Sequence, residues 1–433
     1  MAHELHQVEL PLVRLDRVPS KVKTIAIALL AIGLLAVAGS FAVDAERGWR
    51  AYMFNWLFWT SVAQGAVIFS AAVTIARGIW SKPIRRISLS FVAFLPISWA
   101  LLIPLLIGGE HIFPWAGHEL HGGKEAWLNL PFLSARNLLL ILILTGISVA
   151  YAYWALRPDI GLIRDKAPER LRGLYERMTR DWRGQEAEEV LAARRLAVLG
   201  PVMALVWAAA YSVVAWDFIM SLEDHWFSTM IGPLFFMGGF LGGIAATAVL
   251  TTVYRNTLGL GEYIQTPQFH DLGKLTFAFC VFWVYLFWSQ FLVIWYGMLP
   301  AEQPYLVHRF STPYAGISTL VVALLFVVPF IGLLSAVSKK TPASLSFFAT
   351  VALVGLWLER YMQTYPSYYH DREQIVFGWQ EIGFALPFAG LMLLALMWFA
   401  VRFPLLQLWQ PAVEELWIGS TEEPPGTSTV TAE

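Results

Sequence analysis

VKTIAIALLAIGLLAVAGSFAV, residues 22–43, decides the fold. After Lys23 it carries no charged residue. Its length matches the ~20 apolar residues that a helix needs to cross a bilayer core. Lipid offers backbone groups no partners, so such a run has to be helical. The polar residues 1–21 before it end in Arg14, Arg17 and Lys21. They do not read as a secretory leader, because the apolar run is too long and shows no small-residue cleavage site.

Nine more runs follow, near 51–76, 86–107, 131–156, 196–222, 230–254, 274–298, 314–337, 342–363 and 379–402. The expectation is an all-α polytopic protein with about ten transmembrane helices. A segment 1–21 precedes this 22–402 domain and a tail 403–433 follows it. Composition agrees: 57% of residues are hydrophobic, 14% are charged and mean hydropathy is +0.58. A soluble domain carries about 25% charged residues. Aromatics make up 15% of the chain, with 20 Trp, as suits a protein that meets two wet interfaces.

Lysine and arginine set the expected orientation. With both ends placed inside, 23 of the 30 basic residues fall in inside segments. Basic residues favour the cytoplasmic side, so the expectation is N-in and C-in, in a bacterial inner membrane. The longest inside connection is near 157–195. In it Leu171, Leu174, Tyr175, Met178 and Trp182 keep helical spacing among Arg170, Arg172, Arg177, Arg180 and Arg183. That pattern reads as an amphipathic helix, lying on the inner lipid surface or packed on a partner protein. Residues 404–417 read as a weaker interfacial segment, and 418–433 as a disordered tail. Spans two to five and six to nine match in order and length, a faint repeat that would give two four-helix bundles plus two peripheral helices.

Several chemistries are excluded. Net charge is -1, which offers nucleic acid no field. The single cysteine, Cys280, cannot ligate an iron–sulfur cluster or attach a c-type haem. The nine histidines lie at or beyond the ends of the spans, which argues against a b-type haem. His118 and His121 have ligand-like spacing, but a glycine-rich loop gives a metal site little support. No nucleotide loop is present, and no serine or cysteine sits beside a credible base.

Ionisable groups within spans are costly and therefore candidates for function. Asp217 lies about five residues, roughly 8 Å, inside the outer end of span five. Glu223 follows at its mouth, with Asp224 and His225. Glu359 and Arg360 sit at similar depth in span nine, and Glu381 begins span ten. One reading is a proton pathway open to the outer face. The other is structural ion pairing of Asp217 or Glu359 with Arg360. Ser289, Gln290 and Tyr296 in span seven, and Gln64 in span two, could extend a water chain or bond between helices. Tyr254, His270, Asp271 and Lys274 cluster on the inner side, where solvation of a loop explains them more simply.

Three stretches are familiar: Trp216-Asp-Phe-Ile-Met-Ser-Leu-Glu-Asp-His-Trp-Phe-Ser-Thr-Met230; His270-Asp-Leu-Gly-Lys-Leu275 leading into Trp288-Ser-Gln-Phe-Leu-Val-Ile-Trp-Tyr296; and His111-Ile-Phe-Pro-Trp115 with Leu128-Asn-Leu-Pro-Phe-Leu-Ser-Ala-Arg136. Over roughly residues 45–400 the chain resembles the polysulfide-reductase-type (NrfD-like) membrane subunits. More closely it resembles the second such subunit of alternative complex III, a quinol:cytochrome c oxidoreductase. The resemblance implies two four-helix bundles and four kinds of partner: a sister NrfD-like subunit, an iron–sulfur subunit, haem c subunits and a terminal oxidase. The redox groups would then sit on those partners, with quinol in the complex and lipids around it. Catalytic relatives use a histidine and a carboxylate inside a bundle, and here no histidine lies inside a span. The expectation is therefore a subunit without a cofactor that supports assembly and carries protons. Two other readings are the quinol-binding subunit itself and a secondary transporter. For the transporter, Gly239-Phe-Leu-Gly-Gly243 is the best helix-break candidate.

Overall fold

A computed structural model describes residues 12–117, 120, 123–223 and 225–409. Most of the segment 1–21, His118, Glu119, His121, Asp224 and the tail beyond Trp409 lie outside the described residues. Within them, ten helices are long and apolar enough to cross a membrane. They are α1 (Ser20–Val43), α2 (Ala45–Ile75), α3 (Ile79–Ile107), α4 (Leu130–Lys166) and α5 (Gln185–Leu222). The rest are α6 (Ile231–Thr257), α7 (Thr266–Gly297), α8 (Ala315–Gly332), α9 (Pro342–Thr364) and α10 (Trp379–Arg402). No described residue lies in a strand. Each expected span falls on one of these helices.

The boundaries differ where polar sequence continues a helix. α4 and α5 run well past 156 and start well before 196, so much of the expected connection is helical extension. Between them the expected amphipathic helix is present at Glu169–Met178. Its apolar face does not wait for lipid or a partner protein. Leu171, Tyr175 and Met178 are buried against the chain itself. The Tyr175 hydroxyl accepts from Arg14 at 2.9 Å and donates to the Arg402 carbonyl at 2.8 Å. Span eight also departs from expectation. It carries a π-helical turn at Ala323–Val327, ends at Gly332, and is followed by a separate short helix, Ala336–Lys340.

α2 is the axis of the molecule and packs against α3, α5, α6, α9 and α10. α4 packs on both α3 and α5. α6 packs on α5, α7 and α9, and α8 lies against α9. α1 lies along α10. The α2–α6 crossing brings backbone onto backbone. A Cβ at Gly65 would sit 2.0 Å from the Gly239 carbonyl oxygen, and one at Gly243 would sit 2.1 Å from the Ala66 nitrogen. The glycines of 239–243 therefore serve close packing, and α6 is unbroken through them.

Polar side chains stitch the helices. Tyr211 of α5 donates to the Thr60 carbonyl at 3.1 Å, and the Thr60 and Ser98 hydroxyls bond each other across α2 and α3. Gln64 Nε2 donates to Ser148 Oγ of α4 at 3.0 Å. Gln64 thus makes an interhelical bond, the simpler of its two expected roles.

Candidate functional site

The loops between α1–α2, α3–α4, α5–α6, α7–α8 and α9–α10 gather at one end of the bundle, here called the Glu381 end. Three buried carboxylates and the part-exposed Glu223 lie at or near it, and their surroundings differ.

Asp217 is fully buried on α5. Arg136 of α4 donates to Oδ2 through Nε at 2.7 Å and to Oδ1 through Nη2 at 2.5 Å. Asn137 adds a bond to Oδ2 at 2.6 Å, and Trp127 adds one to Oδ1 at 3.2 Å. The Arg136 guanidinium also lies over the Trp127 ring, 4.1 Å from its centre. Both carboxylate oxygens are saturated. The ion pair foreseen between Asp217 and Arg360 is not formed. Its partner is Arg136, which the sequence showed only as an outer charge.

Glu381 is equally filled. Arg47 holds it bidentately at 2.8 and 2.7 Å, Tyr365 donates to Oε1 at 2.8 Å, and the Gly378 amide donates to Oε2 at 2.7 Å. It caps the start of α10 and ties that helix to α2.

Glu359 differs. Its Oε1 accepts from Trp283 Nε1 of α7 at 2.9 Å and from Gln363 Nε2 at 3.0 Å. Its Oε2 accepts no hydrogen bond from a described residue but pairs ionically with Arg360 Nη1 at 3.4 Å, so the expected Glu359–Arg360 pair is formed. Arg360 spends its own donors on the Gln363 side chain at 2.8 Å and the Phe235 carbonyl at 2.9 Å. Glu359 lines a cavity of about 50 Å³ between α6, α7, α8 and α9. Gln290, Tyr305, Arg309, Ser318 and Gln363 share the lining with it. Around them the wall is apolar, with Trp283, Phe287 and Phe310 on it.

The short helix Gln303–Phe310 closes the cavity at the loop end. Tyr305 stacks on Trp226 with ring centres 3.6 Å apart. Arg309 reaches Glu223 at 3.2 Å, the Gln363 carbonyl at 2.9 Å and Ser367 Oγ at 2.8 Å. Glu223 also meets His308 Nδ1 at 3.2 Å, and the His308 ring stacks on His370 at 3.9 Å. Burial alone would raise the Glu223 carboxyl. The His308 hydrogen bond and the Arg309 charge outweigh it and bring the group down to about 2. Glu223, Arg309, Gln363 and Glu359 thus form one connected polar chain from the loop end to the cavity.

The other sequence candidates stand apart. Ser289 bonds the Tyr285 carbonyl of its own helix at 2.7 Å, and Tyr296 is 82% exposed on the outward face of α7. Gln290, on the opposite face, is the member of that stretch that reaches the cavity. Asp271 and Lys274 pair with each other at 2.9 Å. Lys274 lies sixteen residues from Gln290 along α7, about 24 Å at helical rise, so His270, Asp271 and Lys274 belong to the far end. Tyr254 is buried in the last turns of α6, also away from the loop end.

Sequence reasoning missed Arg309, Tyr305, Trp283 and Gln363. The i, i+4 spacing of Glu359 and Gln363 was a usable signal. It also missed two buried ion pairs at the opposite end, here the Asp159 end, where Arg86 Nε meets Asp159 Oδ2 at 2.7 Å. Arg157 grips Glu188 there at 2.7 and 2.9 Å. No protein-family model matches the chain, and comparison with curated proteins finds none similar to it.

Proposed function

We propose that this chain is a polysulfide-reductase-type (NrfD-like) membrane subunit of a respiratory quinol:cytochrome c oxidoreductase in a bacterial inner membrane. In that reading it binds no redox group. It helps hold the assembly together and carries protons at Glu359. The three motif stretches and the basic residues on one side support it. So do the contacts of α4 with α3 and α5 and of α6 with α7 and α9, which suit two four-helix bundles, α2–α5 and α6–α9, flanked by α1 and α10. With both termini cytoplasmic, the Asp159 end faces inward and the Glu381 end faces outward, toward an iron–sulfur subunit and haem c subunits. The sister NrfD-like subunit would pack alongside within the bilayer.

The observation that carries the proton role is the contrast between buried carboxylates. Asp217 and Glu381 are saturated by arginines and fixed in place. Glu359 keeps one oxygen without a hydrogen bond from a described residue, held only by the longer 3.4 Å ion pair with Arg360, beside a polar cavity. An intramembrane carboxyl is a candidate for function by default, and here its partner is Arg360 at 3.4 Å. Mild-detergent purification followed by haem staining and identification of co-purifying subunits tests the assembly. Recovery of the chain alone, with no haem or iron–sulfur partner, would count against it. Glu359→Gln should lower protons moved per electron in the reconstituted complex while leaving subunit composition unchanged.

A further inference from the structure

The cavity beside Glu359 holds three buried polar atoms that make no hydrogen bond with the described residues: Glu359 Oε2, whose one contact is the 3.4 Å ion pair with Arg360, Gln290 Oε1 and Arg309 Nε. Glu359 and Arg309 are each 4% exposed and Gln290 is 6% exposed. All three residues line the same space. Leaving one such group unsatisfied costs about 1–3 kcal/mol, and more when it is charged. Three around one void is an arrangement that water resolves. A site needs about 10–15 Å³ of free space per water and two to four polar partners, which this cavity supplies. The set offers two acceptors and one donor, and water can serve both kinds at once.

We propose that this cavity is a hydrated proton-exchange site, in which two or three bound waters bridge Glu359, Gln290 and Arg309. In the exchange the carboxyl O–H bond of Glu359 breaks as a bridging water takes the proton. The water chain passes it to solvent water at the loop end, past Arg309 and the Glu223 carboxylate. Recharging Glu359 reverses the same bonds, so no other reactant is needed. Tyr305, on the lining, stacks on Trp226. Val321, on the lining, sets the volume left for it. The exchange rests on the role proposed for Glu359; the hydration rests on the cavity alone.

Radiolytic hydroxyl labelling of the full chain in lipid nanodiscs tests the hydration. Tyr305 lines the cavity and Tyr211 is an equally buried tyrosine outside it. Expected is labelling of Tyr305 about tenfold above Tyr211, because hydroxyl radicals form at bound water. Val321→Phe fills the space and should bring Tyr305 down to the Tyr211 level. If that variant is not recovered folded, Gln290→Met, of similar volume but without the carbonyl, should lower the labelling instead. Tyr305 labelled no more than Tyr211 in the unmodified chain would overturn the hydrated site whatever the complex does. Hydration present, with protons per electron unchanged in the Val321→Phe complex, would overturn the exchange role. Loss of the redox partners on purification would instead strike the respiratory reading and leave the labelling result standing.

Discussion

Asp217 and Glu359 sit at comparable depth in α5 and α9, yet their surroundings assign them different work. Asp217 and Arg136 form a buried pair that other donors complete on every side. Removing one member of such a pair strands a charge, at a cost of about 3–5 kcal/mol. Asp217→Asn should therefore lower the thermal unfolding midpoint and the folded yield. A double change, Asp217→Asn with Arg136→Gln, should recover much of the loss, since no charge is then stranded. A well-folded single Asp217→Asn variant would show that the pair is not structural. Glu223 makes a prediction in pH. Its folded value, about 2, lies below the ordinary 4.5. The carboxylate form is favoured by folding, so its contribution is complete above pH about 4.5 and is lost as pH falls toward 2. The stability gap between the unmodified chain and Glu223→Gln should narrow as pH falls below about 4.5. A gap that does not change with pH would show that the ionic contacts with His308 and Arg309 contribute nothing.

At the scale of helices, the α2–α6 crossing decides how the two halves meet. Gly65 has the Gly239 carbonyl where its Cβ would be, so even a methyl group must push the backbones apart. Gly65→Ala should destabilise the chain by about 1–3 kcal/mol, the usual range for overpacking. Gly146 lies in α4 with open space where a Cβ would go, and Gly146→Ala should be neutral or mildly stabilising. Unfolding of the two variants side by side in one detergent checks the contrast, and equal midpoints would mean the crossing tolerates separation. Whether small residues at this spacing break a helix or pack one could not be read from residues 239–243, because both uses want the same side chains. The position of each span was legible, because hydrocarbon thickness fixes the length of an apolar run whatever it packs against. The Glu169–Met178 helix was legible as an amphipathic element for the same local reason. What covers its apolar face was not, because the residues that pair with Tyr175, Arg14 and Arg402, lie at the two ends of the chain.

For the molecule as a whole, what the sequence concealed is the pairing of distant charges. Composition says that buried arginines and carboxylates need partners, but not that Arg86 finds Asp159 or that Arg136 finds Asp217, each more than seventy residues away. The Asp159 end shows how far such closure extends. Asp159 Oδ2 takes Arg86, and Oδ1 takes the backbone amides of Leu408 and Trp409 at 2.8 and 3.0 Å. The indole of Trp409 bonds the Ala155 carbonyl at 3.1 Å, and the Leu405 amide bonds the Val13 carbonyl at 2.9 Å. The segment after α10 is thus a clasp that supplies the last donors to a buried carboxylate on α4. Removing residues 403–433 should destabilise the chain for two separable reasons: lost apolar burial and an under-bonded Asp159. A double-mutant cycle separates them. In a background with Arg86→Gln and Asp159→Asn no buried charge awaits those amides, so the same truncation should cost less. The difference, read from denaturant unfolding of the four proteins, should be about 1–3 kcal/mol, the penalty for an unsatisfied buried acceptor. Strictly additive effects would mean that the clasp acts through its apolar side chains and that Asp159 needs no help from the end of the chain.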